Sequence, residues 1–306
     1  MINVVKDFEK AKFVTHAGKF HADEVLGTVL LEKIFGDVDV IRLPEVDNYN
    51  LENKMVYDIG AGKFDHHQFG GNGQRPNGIK FAAFGLLWQE YGRAYLQKLK
   101  AENLEDCFMM FDKSFVQFVD AGDNGQIPFE NIDMKLVTLS DVIEGFNPNW
   151  NENVDPDYKF LQAVDFARAI FENKIEATIA KCSARDFVED AIDKSENGIL
   201  FLEKFMPYQE FVLESKNPKA EKIEFVVFKS IRTGYTIRAI PKVLGSFENR
   251  KKFPSAWAGL RNEELQKVTG VDTASFCHNA RFICVAGTLE DAMDLAKMAV
   301  ENEENE

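Results

Sequence analysis

The chain has 306 residues and a formal net charge of −14 at pH 7. Hydrophobic residues make up 45% of it and charged residues 28%, which excludes a disordered or fibrous protein and is typical of a globular one. The acidic balance argues against broad, salt-driven coating of nucleic acid, because that mode of binding needs many lysine and arginine contacts with phosphates.

The first hundred residues alternate between strand and helix patterns. AKFVTHAG predicts a short buried strand that ends at His16, and ADEVLGTVLLEKIF places apolar residues at helical spacing over 22–35. Two more strands are predicted at 37–43 and 54–60, and a helix is predicted at about 79–99. This order of elements predicts βαβ units in a parallel sheet.

The middle of the chain is predicted to be helical. Apolar residues recur at intervals of three and four from 158 to 192. The period then changes to that of strands, which places a domain boundary near 193–197. Length also favours two domains, and we expect them at 1–193 and 194–306.

The last third of the chain shows mostly strand patterns. Strands are predicted at 198–207, 223–230 and 234–241. A hairpin turn is predicted at 232–234, between the last two of them. A final amphipathic helix is predicted at about 289–300.

The sequence gives no sign of a membrane span or of export. FAAFGLLW at 81–88 is far shorter than the roughly 20 apolar residues that a membrane span needs. The N-terminus lacks an apolar stretch followed by a small-residue cleavage site. The four cysteines form no CxxC pair, which is typical of free thiols in a reducing compartment. We therefore expect a cytoplasmic protein with no membrane partner.

Histidines are concentrated at the ends of the first predicted strands. Four of the five lie within the first 67 residues, namely His16, His21, His66 and His67. Asp58 lies near the end of the third predicted strand, and the Asp-His-His segment follows it in a loop. Because ligands bind outside the carboxyl ends of parallel strands, we expect these side chains to converge on one crevice.

Clustered imidazoles and carboxylates predict a site for divalent cations such as manganese or zinc. Two cations about 4 Å apart can clamp the attacking and leaving oxygens of a phosphoryl transfer. Such a pair needs several anionic ligands, and the acids at hand are Asp23, Asp58, Asp65, Asp120 and Asp123. The alternative is that the histidines have unrelated structural roles, since Asp-His-His alone is a weak signal.

These segments resemble a known family. Asp65, His66 and His67 resemble the signature of the DHH phosphoesterase superfamily, whose members hold two metals, usually manganese. THAGKFHADE, DHHQ, FVDAGDNG, NPNW and FPSAWAGLRNEEL resemble the melanocyte-proliferating-gene family within it, described as metal-dependent exonucleases acting on RNA. The resemblance implies an α/β fold with a doubly wound, mostly parallel sheet in a catalytic domain, followed by a smaller α+β domain that binds substrate.

The resemblance also implies roles for individual residues. The implied metal ligands are His16, His21, Asp23, Asp58, His66 and Asp120. Asp58 would bridge the two metals, and His67 would face the substrate phosphate as a hydrogen-bond donor or as an acid to the leaving oxygen. Asp65 and Asp123 would support the ligands from outside. His21 stands where many superfamily members have aspartate, so zinc competes more seriously with manganese, and Mg²⁺ stays open.

Four residues of the second predicted domain are candidates for phosphate binding. The resemblance implies that His278 lies where the superfamily's second domain contacts substrate phosphate, and Arg281 is close to it in sequence. Arg250 and Arg261 are further candidates, because guanidinium groups bind phosphate in a bidentate manner. The alternative for each arginine is an ordinary surface charge, and for His278 a partly buried place at a strand end.

The leading functional hypothesis is a two-metal phosphodiesterase, a 3′–5′ exonuclease on RNA or short oligonucleotides. A second hypothesis is a phosphatase or phosphodiesterase for a small nucleotide or phosphorylated metabolite, which the acidic charge favours. A third is a metal-binding regulator without catalytic activity. The sequence leaves assembly into a homo-oligomer open.

Overall fold

The computed structural model describes residues 1–126 and 136–303. The chain divides into two compact units, Met1–Cys182 and Ser183–Glu306. Each unit has a hydrophobic core of its own.

The first unit contains four strands and six helices among the described residues. The strands are β1 (Ile2–Val4), β2 (Phe13–His16), β3 (Val38–Leu43) and β4 (Met55–Val56). The helices are α1 (Ala22–Phe35), α2 (Ala83–Lys98), α3 (Leu104–Phe111), α4 (Gln117–Asp123), α5 (Leu139–Glu144) and α6 (Pro156–Ser183). A π-helical turn over Asp112–Val116 joins α3 to α4.

The strands of the first unit form one parallel sheet in the order β1-β3-β2-β4. Phe13 of β2 lies opposite Val40 of β3, and His16 lies opposite Leu43. His16 is therefore at the carboxyl edge of the sheet. The predicted parallel sheet is confirmed, whereas its doubly wound arrangement stays a prediction.

Helix α1 packs against α2 and is buried on almost every side over 22–31. Val25, Leu26, Val29 and Leu30 are fully buried, which is why this helix can lie inside the unit rather than on its surface. The helix ends at Phe35. The next residue, Gly36, has a φ of 83°, which glycine adopts much more easily than other residues do.

Two predicted elements of this unit, one strand and one helix, are shorter than expected. The strand predicted at 54–60 is regular only over Met55–Val56, because Asp58 has a φ of 56°, which no extended strand tolerates. The helix predicted at 79–99 begins only at Ala83. The short strand β1 was not predicted, since three residues carry too little periodicity to be recognised.

The second unit contains five strands and four helices among the described residues. The strands are β5 (Ile199–Leu202), β6 (Phe225–Lys229), β7 (Tyr235–Ala239), β8 (Ala274–Cys277) and β9 (Ile283–Ala286). The helices are α7 (Arg185–Asp193), α8 (Gln209–Glu214), α9 (Asn262–Thr269) and α10 (Leu289–Glu301). Short 3₁₀ turns cover Phe8–Lys10 in the first unit, and Ala220–Lys222 and Ser255–Trp257 in the second.

The second sheet is mixed and has the order β5-β6-β7-β9-β8. β5 and β6 are parallel, and β6 and β7 form the predicted antiparallel hairpin, with Val227 opposite Ile237. Its turn needs Gly234, whose φ is 65° and whose added Cβ would lie 2.2 Å from the carbonyl oxygen of Ala286. The predicted combination of helices and strands in this part is confirmed, in a sheet that is mixed.

The division between the units precedes the predicted boundary at 193. The helical pattern of 158–192 is in fact two helices, α6 and α7. Helix α7 packs against β5 and α8, so it belongs to the second unit. Periodicity alone shows that both segments are helical and gives no information on which core each one joins. None of the described helices has both the length and the apolar character that crossing a membrane requires.

Candidate metal centre

His16 is held rigidly at the end of β2. Its Nδ1 donates to the carbonyl oxygen of Ala17 at 3.0 Å, which directs Nε2 towards two buried carboxylates. Nε2 lies 2.9 Å from Glu24 Oε1 and 3.1 Å from Asp58 Oδ2. Burial lowers the pKa of His16, but contacts with these carboxylates raise it to about 11. The surroundings of His16 therefore favour a positive charge.

The Asp58 carboxylate lies between histidines from separate segments of the chain. Its Oδ2 faces His16, and its Oδ1 lies 3.4 Å from His66 Nδ1 and 3.5 Å from His67 Nδ1. The left-handed backbone of Asp58 is fixed by its amide, which donates to Phe64 O at 2.9 Å. Burial is the largest cause that raises the pKa of Asp58. A strained backbone and a buried carboxylate are both typical of a functional position.

Asp65 organises the loop that carries the two adjacent histidines. Its carboxylate accepts from the amides of Ala61 at 2.6 Å and His67 at 3.1 Å, and from His67 Nδ1 at 2.8 Å. Burial opposes ionisation, but these hydrogen bonds lower the pKa of Asp65 to about 2. The His66 ring is nearly buried, whereas 57% of the His67 side chain is exposed.

The first turn of α1 supplies three more polar side chains. The amide of His21 donates to both Glu24 carboxylate oxygens, at 3.0 and 2.8 Å, which caps the helix. Asp23 is fully buried, and its Oδ2 accepts from the amide of Ala83 at 3.2 Å. Burial, followed by neighbouring carboxylates, raises the pKa of Asp23.

The two aspartates of α4 have different surroundings. Asp123 Oδ2 lies 2.7 Å from His66 Nε2. Asp120 Oδ2 lies 2.8 Å from an Arg75 nitrogen, and its Oδ1 accepts from the amide of Gly85 at 2.9 Å. Asp123 therefore faces the histidines, whereas Asp120 anchors the start of α2.

Arg75 connects Asp120 to a second buried carboxylate. Its Nε and one terminal nitrogen both donate to Asp112, each at 2.7 Å. The guanidinium also lies 4.4 Å from the centre of the Phe81 ring. Arg75 therefore contacts two carboxylates, and burial still raises the pKa of Asp120 to about 7.

Among the described residues, the potential ligand atoms form four overlapping groups, within each of which all atoms lie no more than 4.8 Å apart. The groups are Asp58, Asp65, His66 and His67; His16, His21 and Glu24; His21, Asp23 and Asp123; and Asp23, Glu24 and Asp58. Several buried atoms of these residues have no hydrogen bond of acceptable geometry within the described chain, namely His16 Nε2, Asp23 Oδ1, both Asp58 oxygens and His66 Nδ1. Buried polar atoms rarely lack a hydrogen bond in folded proteins. Imidazole nitrogens and carboxylate oxygens are also the usual protein ligands of a divalent cation such as manganese or zinc.

The structure brings most of the predicted residues together. The groups include His16, His21, Asp23, Asp58, Asp65, His66, His67 and Asp123. Asp120 is in none of them among the described residues. Glu24 was not predicted, because an acid in the first turn of a helix is an ordinary cap and its position beside Asp23 gave the only signal.

The predicted phosphate-binding residues all lie in the second unit and do not share one site. Arg250 and Arg281 line a cleft of about 860 Å³ whose other cations are Lys242, Lys251 and Lys252. The Arg250 guanidinium donates to the carbonyl oxygens of Ala220 and Ile223. Arg261 and His278 are not among the residues that line this cleft; Arg261 lies over the Phe276 ring, and His278 Nδ1 accepts from the amide of Ala280.

A model of the MYG1 exonuclease family, described as uncharacterised protein family UPF0160, matches residues 12–300. The chain belongs to this family. That membership confirms the predicted resemblance to the melanocyte-proliferating-gene family, whereas membership of the DHH superfamily stays a prediction.

Relatives from this family match nearly the whole chain. The MYG1 protein of Saccharomyces cerevisiae is 30% identical over 320 residues, which cover 94% of each protein. Proteins named MYG1 exonuclease from Bos taurus and Homo sapiens are 29% and 28% identical, with 92% of this chain and 83% and 84% of theirs covered. No solved structure significantly matches the chain.

Proposed function

We propose that the chain is a metal-dependent phosphodiesterase that removes nucleotides from the 3′ end of RNA or short oligonucleotides in the cytoplasm. One observation carries the proposal: histidines and carboxylates remote in sequence lie together in overlapping groups, and several of their buried atoms have no hydrogen bond within the described chain. The relatives named exonuclease support the reaction class. The DHH signature at 65–67 supports the use of two metals.

The proposed ligands differ from the predicted set at two positions. They are His16, His21, Asp23, Glu24, Asp58, His66 and Asp123, with Asp58 between the two cations. Asp123 replaces Asp120, because Asp120 is paired with Arg75. Two divalent cations held there would polarise the phosphoryl group and activate water. We propose Mn²⁺, with Zn²⁺ or Mg²⁺ as the alternatives.

His67 is the proposed proton donor to the leaving oxygen. Its Nδ1 is held by Asp65, so Nε2 is the ring atom that can face a substrate, and it has no partner in the described part of the chain. The hydrogen bond to Asp65 is the largest cause that raises the pKa of His67, so this contact favours the protonated ring. A donor placed where charge develops on the leaving group lowers the barrier to its departure.

A small nucleotide is the second candidate substrate. The net charge of −14 favours it, because a long RNA needs an extended basic groove and a small nucleotide does not. Comparing turnover of dinucleotides with turnover of RNA of about ten nucleotides separates the two substrates. Faster turnover of the longer RNA per cleaved bond would support the exonuclease.

The proposed function is tested with Asp58→Asn. Asparagine keeps the size of the side chain and removes the charge between the histidines, so we expect hydrolysis to fall at least 100-fold with the fold retained. The measurements are hydrolysis of RNA, bound metal by elemental analysis, and circular dichroism. A variant that hydrolyses RNA at the normal rate, or a wild-type protein that binds less than one metal per chain after reconstitution, would contradict the proposal.

A further inference from the structure

Two aromatic side chains of the first unit are almost completely exposed. Phe69 has a relative exposure of 108% and Trp150 one of 97%. Single exposed apolar residues are common, so exposure alone carries no inference. Two further observations concern these rings. Each ring lies in a hydrogen-bonded turn, and each turn is near in sequence to residues that are hydrogen-bonded to a loop carrying histidines of the candidate centre.

Phe69 follows His67 by two residues. It occupies the second position of a turn over 68–71, in which the Gly71 amide donates to Gln68 O at 2.8 Å. Gly70, in the third position, has a φ of 85°, which a type II turn requires. The ring is therefore at the corner of a defined turn.

The turn that carries Phe69 is also fastened to the loop before it. The side-chain amide of Asn72 donates to the carbonyl oxygens of Lys63 at 3.0 Å and Asp65 at 2.9 Å. Asp65 in turn accepts from His67. The backbone under the ring is thus held in a fixed position beside His67.

Trp150 has a similar setting. Its turn is closed by the amide of Glu152, which donates to Asn149 O at 3.0 Å, while the Glu152 carboxylate accepts from the Asn149 amide at 2.8 Å. Asn147 exchanges two side-chain hydrogen bonds with the backbone of Phe20, at 3.0 and 2.8 Å. Phe20 directly precedes His21 in sequence, so Asn147, two residues before this turn, is hydrogen-bonded to the loop between His16 and His21.

The chemistry of both rings favours a flat aromatic ligand. The sequence neighbours of each ring are polar residues or glycine, within 68–72 and 149–152, whereas a protein interface needs a contiguous apolar patch. A nucleotide carries its base at a short distance from its phosphate, and bases of any sequence stack on aromatic side chains. Alanine substitution of such a stacking residue weakens binding about 5- to 150-fold per base.

We propose that Phe69 and Trp150 are nucleobase-stacking residues of the candidate centre and restrict it to nucleotides among phosphoesters. The inference rests on the proposed function and deepens it. Neither ring takes part in bond making. Both act by positioning the base and hence the adjacent phosphate.

The first test measures binding through the fluorescence of Trp150. The other two tryptophans, Trp88 and Trp257, are 0% and 4% exposed, so a stacking quencher acts mainly on Trp150. With the full chain in Mg²⁺, we expect adenosine monophosphate to quench the emission and ribose 5-phosphate to leave it unchanged. Trp150→Phe should abolish the quenching. Absence of quenching at millimolar adenosine monophosphate, or equal quenching by both compounds, would overturn the proposal for Trp150.

The second test compares an oligonucleotide of about ten nucleotides with one of the same length that contains abasic residues at its 3′ end. We expect Phe69→Ala and Trp150→Ala each to lower kcat/KM about 5- to 150-fold on the first substrate, mainly through KM, and to leave the second unchanged. Phe69→Tyr and Trp150→Phe should restore most of the activity. Unchanged kcat/KM on the first substrate, or equal losses on both, would overturn the inference.

Phe35→Ala is the matched control. Phe35 is also partly exposed, but it lies at the other end of α1 from His21, about 20 Å along the helix. The Phe35→Ala substitution should leave KM for the oligonucleotide unchanged. Base-dependent quenching in a protein that hydrolyses no phosphoester would support the stacking residues and overturn only the proposed reaction.

Discussion

Asp120 and Asp123 are three residues apart, yet only one of them faces the histidines. We expect Asp123→Asn to lower the bound metal by at least one ion per chain. Asp120→Asn should keep the metal and lower the free energy of unfolding by about 1–3 kcal/mol, because it weakens a buried ion pair with Arg75. Elemental analysis and urea unfolding measure the two effects.

The two variants serve as controls for each other, since both make the same chemical change on the same helix. Loss of metal in Asp120→Asn, with metal kept in Asp123→Asn, would reverse the assignment and favour the ligand set implied by the resemblance.

Glu24 gives a second prediction at this scale. Its carboxylate both caps α1 and lies 2.9 Å from His16 Nε2. Glu24→Gln keeps an oxygen for the cap and removes the charge, so we expect metal affinity to fall about 10- to 100-fold. Calorimetric titration with Mn²⁺ measures it. Unchanged affinity would restrict Glu24 to a capping role.

The sequence predicted most of the residues that the structure brings together, but not the different surroundings of the two aspartates of α4. His16, Asp58 and His66 follow strands whose carboxyl ends share an edge, so their convergence was predictable. Residues three apart on a helix lie on neighbouring positions of its surface, so Asp120 and Asp123 were both reasonable candidates. Their difference depends on Arg75, whose position beside Asp120 follows from the tertiary fold and from no local pattern.

At the scale of elements, the contact between α2 and α4 leaves no room at Gly85. A Cβ built there would lie 1.8 Å from Asp120 Oδ2, and Arg75 holds that carboxylate in place. We expect Gly85→Ala to lower the free energy of unfolding by about 1–3 kcal/mol. This loss would exceed the gain in helix propensity of at most about 1 kcal/mol. Urea unfolding measures it.

Gly62→Ala is the control for this substitution, because a Cβ at Gly62 would meet nothing within 4 Å. It should change the free energy of unfolding by no more than about 0.5 kcal/mol. Equal stability of the Gly85 and Gly62 variants would show that α2 and α4 can move apart at no cost.

Most elements were predictable because their periodicity is local, as in α1 and the hairpin of β6 and β7. Their ends were less predictable. The strand before Asp58 stops where the backbone turns left-handed, and an aspartate gives no warning of that conformation as a glycine would. Helices α6 and α7 follow one continuous pattern in sequence although they belong to different units.

At the scale of the whole molecule, the two units have separate cores. The core of Ser183–Glu306 includes Phe225, Ile237, Leu265 and Leu295, all fully buried. We therefore expect residues 183–306 to fold when expressed alone and to unfold cooperatively in urea. Circular dichroism and the sharpness of the transition measure this. A fragment without a cooperative transition would show that its core depends on the rest of the chain.

The crowding of Asp23, Glu24 and Asp58 within 4.8 Å has a consequence for how the protein responds to heat. Like charges buried so closely repel one another, and a cation that enters between them relieves the repulsion only while the chain is folded. The melting temperature should therefore rise when an ion binds, and at equal concentration it should rise most for the ion with the highest affinity. A thermal-shift series over Mg²⁺, Mn²⁺ and Zn²⁺ would rank the affinities of these ions without the use of a substrate.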